Sequence, residues 1–149
     1  MKSITIFIFA ISLLSLFSAF MKPNLEANAT LEVVVTDIRN SKGNLVMGFY
    51  KDSKSFSQRA PFMSKVVEKT TMRNGVVTFK VSLPAGTYGI ALLDDENKNG
   101  KADYGFVLPI EGFGFSDFYH RGVFAPTFTD FDFKLGTVDK SVTVKLKYM

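Results

Sequence analysis

One short loop in this 149-residue chain carries the residue types that bind metal ions. It reads DDENKNGKAD from Asp94 to Asp103. Counted from the second Asp, this is the D-x-N-x-N-G-x-x-D spacing of a calcium loop. Alternate residues of a tightly curled loop point to one centre, and Ca²⁺ takes roughly six to eight oxygen ligands. We therefore predict a calcium site whose ligands are Asp95, Asn97, Asn99, the main-chain carbonyl of Lys101, and Asp103.

The loop departs from an EF-hand at its end. Position 12, where an EF-hand places a bidentate Glu, is Phe106, and no helical pattern flanks the loop. Glu111 follows five residues later and would complete the ligand set only if the chain folds back. If the preceding strand ends at Leu93, Asp94 should point away from the centre. The alternative is a polar turn, because Asn, Asp and Gly are common in turns.

The segment after the loop is rich in aromatic residues. Half of the sixteen phenylalanines lie between positions 106 and 133, and Gly112 and Gly114 interleave with them. We therefore expect no regular strand over 109–116. Two interpretations stay open: the rings close an open end of the fold, or they form a surface for a ligand, since exposed apolar patches mark binding sites. The ligand surface would consist of Phe113, Phe115, Phe118 and Tyr119.

Composition argues against several classes of site. The chain has no cysteine, which excludes a disulfide framework, a thiolate zinc site and a cysteine nucleophile. His120 is the only histidine, which excludes a multi-histidine metal site. The formal net charge is +4 and the basic residues are not clustered, so we expect no nucleic-acid partner. Neither a nucleophile elbow nor a phosphate-binding loop is found, and we predict that the chain is not an enzyme.

Short stretches of alternating apolar and polar residues must position the loop. They predict seven strands, over 30–38, 44–51, 65–72, 75–83, 88–92, 131–135 and 142–148. We expect the first two to form a hairpin, and the next two to form another through a type I′ turn at Asn74 and Gly75. Such spacing predicts an all-β, seven-stranded antiparallel β-sandwich, with a small barrel as the alternative. The expected core residues are Val33, Val35, Phe79, Val81, Tyr88, Ile90, Val144 and Leu146.

The N-terminus has the pattern of a secretory signal peptide. Lys2 precedes an uncharged apolar run over 4–20, and the small-residue exit Ala27-Asn28-Ala29 follows. We predict a signal peptide over 1–29 and a single domain over 30–149, without a membrane span after cleavage. An earlier exit at Ser18-Ala19-Phe20, or an uncleaved anchor, is the alternative. Export without cysteine is typical of a bacterial envelope, so the protein should be periplasmic, on the outer surface or secreted.

Three stretches resemble an exported bacterial family known as domain of unknown function 2141. They are LPAGTYGIA over 83–91, the loop over 94–103, and PIEGFGFS over 109–116. The resemblance extends over 30–149, with Asp94 where the family usually has His and Gly89 where it commonly has Ala. The first stretch is also similar to transthyretin-like and carboxypeptidase-regulatory-like sandwiches, which implies a transthyretin-like (prealbumin-like) Greek key. The family implies no activity.

These observations predict an exported, non-enzymatic domain that Ca²⁺ stabilises and that binds an envelope protein or glycan. One alternative is a carrier of hydrophobic ligands that uses the Phe-rich loop 104–133. A second alternative is a glycoside hydrolase, in which Asp94 or Asp95 would act together with Glu111 across a glycosidic bond.

Overall fold

The computed structural model describes residues 28–103, 109–122 and 124–149. Within these ranges the chain forms strands β1 (Ala29–Thr36), β2 (Asn44–Tyr50), β3 (Met63–Glu68), β4 (Val77–Leu83), β5 (Gly86–Asp95), β6 (Gly112–Phe115), β7 (Asp132–Leu135) and β8 (Lys140–Lys145). Two short helices, α1 (Ser53–Ser57) and α2 (Phe128–Phe131), accompany them. Neither helix is long enough to cross a membrane, and no other described segment forms one that could.

The described strands form two sheets, which confirms the prediction of an all-β sandwich. The smaller sheet has the order β4-β1-β8. The larger has the order β3-β2-β5-β6, and β7 pairs with the first half of β5. Alternate residues of both sheets, such as Val33 of β1 and Met47 of β2, are fully buried in one shared core. The sheets therefore pack face to face around a single hydrophobic interior.

Several predicted pairings are wrong. β1 and β2 form no hairpin, because β1 pairs with β4 and β8 while β2 pairs with β3 and β5. The pairing of β1 with β8 is parallel, so the sandwich is not purely antiparallel. The described residues contain eight strands, not seven. Alternation shows which face of a strand is buried, but it carries no information on which strand lies next to it.

The turn at Asn74 and Gly75 has the predicted conformation but not the predicted hairpin. Both residues have positive φ angles, of 51° and 74°, as a type I′ turn requires. Only one bridge, between Arg73 and Val76, extends the turn. Beyond it the chain diverges, because β3 joins the larger sheet and β4 the smaller one. The turn thus connects the two layers of the sandwich.

The expectation of no regular strand over 109–116 is also wrong. Gly112–Phe115 forms β6, which pairs with β5. A Cβ atom at Gly114 would lie 2.8 Å from the carbonyl oxygen of Lys145, and one at Gly112 would collide with the ring of Tyr148. The glycines therefore permit a close approach of β6 to the end of β8 and the residues that follow it, where isolated bridges join the two sheets.

Most of the predicted core residues are buried. Val33, Val35, Tyr88, Ile90, Val144 and Leu146 are at most 3% exposed. Phe79 and Val81 are only partly buried, although they pack against the same core. Both belong to β4, which is the edge strand of the smaller sheet and so is covered on fewer sides.

A second apolar cluster covers part of the outer face of the larger sheet. We call it the outer aromatic cluster; it comprises Tyr50, Phe115, Phe128 and Phe131, with Phe56, Ala91, Phe113 and Phe118 packed against them. The ring of Phe56 in α1 lies 4.9 Å from that of Phe131 in α2, and the rings of Phe115 and Phe131 lie 5.0 Å apart. The two short helices thus hold the aromatic segment against a sheet face.

Candidate functional site

The predicted calcium loop is curled by its own side chains. Asp95, at the end of β5, accepts the N–H groups of Asn99 and Gly100 at 3.0 and 2.8 Å. Asn97 Oδ1 accepts the N–H of Asn99 at 3.0 Å, and Asn99 Oδ1 accepts that of Lys101 at 2.8 Å. These short side chains reach back to the main chain two to five residues away, as Asn and Asp do in turns. The loop therefore winds around one point.

Three of the predicted ligands meet at this point. The amide of Asn97 donates to the carboxylate of Asp103, and the amide of Asn99 donates to both of its oxygens at 3.1 Å. Each Asn Oδ1 has two lone pairs, so it can accept a loop N–H with one and bind a cation with the other. Lys101 is exposed, and its main-chain N–H donates to Asn99 Oδ1.

Glu111 folds back onto the loop. It is 4% exposed, and its two carboxylate oxygens accept the N–H groups of Glu96 at 3.0 Å and of Asp103 at 3.2 Å. The main chain adds a bond from Ile110 N–H to the carbonyl of Asp103, at 2.9 Å. One carboxylate thus holds both ends of the loop together. Phe106, at position 12, lies outside the described residues.

The acidic side chains alone do not form a metal centre. Among the residues that the structure describes, no three His, Cys, Asp or Glu side chains lie in an arrangement that could hold a metal ion. The predicted set depends instead on amide and main-chain oxygens, which Ca²⁺ accepts and softer metals do not favour.

Asp94 faces the other side of β5 and points away from the loop. Although β5 continues to Asp95, alternation still turns the two carboxylates to opposite faces. Asp94 is fully buried, forms an ion pair with the equally enclosed Lys69, and accepts the hydroxyl of Tyr148 at 2.6 Å. Burial, followed by this hydrogen bond, raises the pKa of Tyr148 well above its ordinary value. We call these three residues the Asp94 cluster.

A second ion pair anchors the start of the loop. Arg39 Nε lies 2.6 Å from Glu96 Oε1, which also accepts the amide of Asn40 at 3.0 Å. The hydrogen bond from Arg39 lowers the pKa of Glu96. The guanidinium of Arg39 also lies 4.4 Å from the centre of the Tyr148 ring, which connects this pair to the Asp94 cluster.

The carboxylates proposed for glycoside hydrolysis are poorly placed for it. Asp94, Asp95 and Glu111 are 0%, 2% and 4% exposed. Each already holds a cation or N–H groups of the protein. A hydrolase needs two carboxyl groups that flank an open space for a sugar. The geometry therefore does not favour this alternative.

A cavity of about 570 Å³ lies on the outer face of the larger sheet. Its floor comes from β2 and β5, and its walls come from the outer aromatic cluster and the loop, which contributes Gly100 and Ala102. The residues that line it are Val46, Met47, Gly48, Tyr50, Phe56, Arg59, Pro61, Ser64, Ala91, Leu92, Leu93, Gly100, Ala102, Pro109, Phe113, Phe115, His120, Ala125, Pro126 and Met149. The volume falls within the range of about 300–1,000 Å³ that is typical of small-molecule sites.

The residues predicted as an aromatic ligand surface separate into two groups. Phe113 and Phe115 line the cavity. Phe118 is partly buried and packs against the outer aromatic cluster, whereas Tyr119 is 43% exposed with Lys145 Nζ 5.2 Å from its ring centre. Residues 104–108 and 123 of the Phe-rich loop lie outside the described residues.

Sequence reasoning missed the contribution of α1. The sequence analysis predicted no helix or strand between the strands over 44–51 and 65–72, yet α1 lies there and places Phe56 and Arg59 beside the cavity. The signal was present at its start: Asp52 Oδ1 accepts the N–H of Ser55 at 2.7 Å, which is a helix N-cap. The sequence pattern that indicates this short helix is Asp52 three residues before Ser55, with the large apolar residue Phe56 directly after it.

Comparison with known proteins identifies a family. Residues 33–143, about three quarters of the chain, match the model described as "Uncharacterized protein conserved in bacteria (DUF2141)". No curated protein and no solved structure matches the chain significantly. The chain therefore belongs to this bacterial family, as the three stretches of its sequence predicted.

Proposed function

We propose that this member of the family is an exported, non-enzymatic domain that binds a small apolar ligand of the cell envelope. The observation that carries the proposal is the cavity on the outer face of the larger sheet. A carrier was the alternative expectation from the sequence, and the cavity favours it over a site for an envelope protein or glycan. A protein partner usually buries a broad surface, whereas a concave site of this volume, lined mainly by apolar side chains, has the size typical of a small-molecule site.

The cavity is deep because small residues form its floor. Gly48 and Ala91 lie opposite each other on β2 and β5, and Phe115 of β6 is the next residue across the sheet. The ring of Tyr50 leans over Gly48, with its hydroxyl 2.9 Å from the place of a Cβ atom. Ala91 therefore forms a low point between two aromatic walls, where a ligand would bury apolar surface at about 25 cal/mol per Å².

A filling substitution tests this site. Ala91→Phe should place a ring in the low point, whereas Val66→Phe adds the same ring on an exposed position of β3, outside the lining. We expect the wild-type protein to bind Nile red with a saturable rise in fluorescence. Binding should weaken at least tenfold in Ala91→Phe and remain unchanged in Val66→Phe, with melting curves as the check on folding.

Two results would overturn the proposed carrier function. The first is the absence of saturable binding to the wild-type protein. The second is equal binding by both Phe variants, which would place the dye elsewhere. Titration with neutral oligosaccharides provides the comparison, since the proposal expects no saturable binding of a sugar in this cavity.

The same proposal assigns the loop over 95–103 to Ca²⁺. Support comes from the curl that brings Asn97, Asn99 and Asp103 together, and from the return of Glu111 to both ends of the loop. Because the loop supplies Gly100 and Ala102 to the cavity, an ion that fixes the loop would also fix one wall of the ligand site.

Export is the remaining part of the proposal. Residues 1–27 lie outside the described residues, while Ala29 is the first residue of β1, pairs with Leu83 and is 1% exposed. Cleavage after Ala29 would remove a buried strand residue, so the earlier exit at Ser18-Ala19-Phe20 is favoured. Intact-mass measurement of the exported protein should show a chain that begins before Ala29. An intact Met1 on membrane-bound protein would contradict cleavage.

A further inference from the structure

The cavity contains a nearly buried histidine that forms no hydrogen bond with the described residues. His120 lines the cavity and is 8% exposed. Its ring packs among Phe113, Phe115 and Phe118, with centroid distances of 6.0–6.1 Å. In the described part of the chain no group bonds to its ring nitrogens, and a Cβ atom at Gly122 would lie 3.2 Å from its Cε1 and 3.6 Å from its Nε2. Its ring nitrogens are not among the fully buried unpaired atoms of the described residues, so water or a ligand can reach them and form their hydrogen bonds.

A positive charge lies on the same cavity. Arg59 follows α1 with a φ of 52°, and its main-chain N–H bonds to the carbonyl of Phe56 at 3.0 Å. Because Phe56 is fixed in the outer aromatic cluster, α1 holds Arg59 at the rim. Its guanidinium forms no ion pair with any described residue. Burial raises the pKa of the Tyr50 hydroxyl, and the positive charge of Arg59 partly opposes this rise. Arg59 therefore lies close enough to Tyr50 to interact with it electrostatically.

No Asp or Glu is among the described residues that line the cavity, and Asp130 of α2, with which His120 interacts electrostatically, lies outside the lining. The basic residues of the described lining are Arg59 and His120. The remaining lining is mostly aliphatic and aromatic, with Ser64 as the main neutral polar side chain. Charge complementarity therefore selects a ligand that brings its own negative group together with an apolar body.

We infer that the cavity binds a small anionic amphiphile, with one carboxylate-like head and an apolar tail or ring. This inference rests on the proposed carrier function and names its ligand class. The apolar body lies over Ala91 and against the walls of Phe113 and Phe115. Arg59 supplies the charge-assisted pairing that a carboxylate favours, and His120 supplies a ring N–H to an oxygen of the ligand.

Three ligands, each with a ten-carbon chain, separate charge from apolarity. Decanoate, decanol and decyltrimethylammonium are each titrated as competitors of Nile red on the full exported protein. Decanoate should compete at least tenfold more strongly than decanol, and decyltrimethylammonium should be the weakest. Equal competition by decanoate and decanol, or preference for the cation, would overturn the inference while the carrier function stands. Failure of all three, together with failure of the dye to bind, would remove both.

Variants locate the head group. Arg59→Gln should weaken the binding of decanoate about tenfold and leave the binding of decanol unchanged. A hydrogen bond to a charged group contributes about 1.5–3 kcal/mol, and the lower end of this range corresponds to about a tenfold change in affinity. His120→Phe keeps an aromatic ring but removes the donor, and should also weaken decanoate alone. Arg121→Gln is the matched control, because Arg121 is exposed and outside the described lining. An equal loss of decanoate binding in Arg59→Gln and Arg121→Gln would show a general charge effect and refute the assignment.

Discussion

Asp94 and Asp95 are consecutive residues whose carboxylates serve opposite faces of one strand. Asp94 holds the buried ammonium group of Lys69 in the interior, while Asp95 holds the N–H groups of Asn99 and Gly100 in the loop. A single peptide bond therefore joins the core of the sandwich to the base of the candidate calcium site. Any change that moves the end of β5 should affect both.

The buried pair predicts a large asymmetry between single and double substitutions. Asp94→Asn removes the charge that faces Lys69 and should lower the free energy of unfolding by about 3–5 kcal/mol, because an unpaired buried cation remains. Lys69→Met combined with Asp94→Leu should regain most of this loss, since apolar residues of similar size often replace a buried ion pair without cost. Urea denaturation measures both; a loss below about 1 kcal/mol in Asp94→Asn would place the pair in contact with water.

Phenylalanine truncation should report the position of each strand in its sheet. Phe49, in the second strand of the larger sheet, is fully buried, whereas Phe79 lies on the edge strand β4 and is only partly buried. Phe49→Ala should cost about 3–5 kcal/mol, and Phe79→Ala about 2 kcal/mol, because part of its ring already touches solvent. Denaturant melts of the two variants give the comparison. Equal losses would mean that β4 is covered as fully as β2.

The ion pair of Arg39 with Glu96 predicts a dependence of stability on pH. The hydrogen bond from Arg39 lowers the pKa of Glu96 from 4.5 in the folded state. A depressed pKa contributes stability above the unfolded value, and that contribution is lost as the pH falls below about 4.5. The wild-type protein should therefore be more stable than Glu96→Gln near pH 7, and the gap should close on acidification.

Glu68→Gln is the matched control for this pH series, since Glu68 is exposed and forms no ion pair with the described residues. Thermal melts between about pH 3 and 7 measure the gap for both variants. A gap for Glu96→Gln that stays constant across this range would show that the salt bridge with Arg39 does not control the titration of Glu96.

The sequence predicted burial far better than pairing. Alternation in β1, β5 and β8 identified the inner faces correctly, because a sandwich must bury one side of each strand. It misassigned the hairpins, because neighbours in sequence, such as β1 and β2, lie in different sheets. Lys69 shows a second limit: a lysine in a polar stretch gives no sign of burial, and only its distant partner Asp94 explains it.

The candidate sites show the same contrast. The calcium spacing lies within nine consecutive residues, so it was visible in the sequence, and Glu111 was named as a further ligand on the condition that the chain folds back. The cavity was not visible, because it combines Ala91, Arg59 and Phe113 from separate segments. A small residue such as Ala91 lies at the bottom of a cavity only when larger side chains from other segments surround it.

The final prediction concerns Ca²⁺ and the loop over 95–103. An ion that binds the folded state alone stabilises it by RT ln(1 + [L]/Kd). With a Kd near 10⁻⁴ M, toward the weak end expected of extracellular sites, a few millimolar Ca²⁺ should add about 2 kcal/mol, which is about 8 °C in melting temperature. Mg²⁺ should add much less, because it demands octahedral geometry and gives up water reluctantly.

Variants of the loop test the same prediction. Asp95→Ala and Asp103→Asn should abolish the increase in melting temperature, whereas Asp132→Ala, at an exposed acidic position distant in sequence, should retain it. Asp94→Asn should start from a lower melting temperature and still respond, because its carboxylate faces the core. Coincident wild-type melts in Ca²⁺ and in chelator would make the loop a polar turn that its own hydrogen bonds hold, and would leave the apolar cavity as the protein's candidate site.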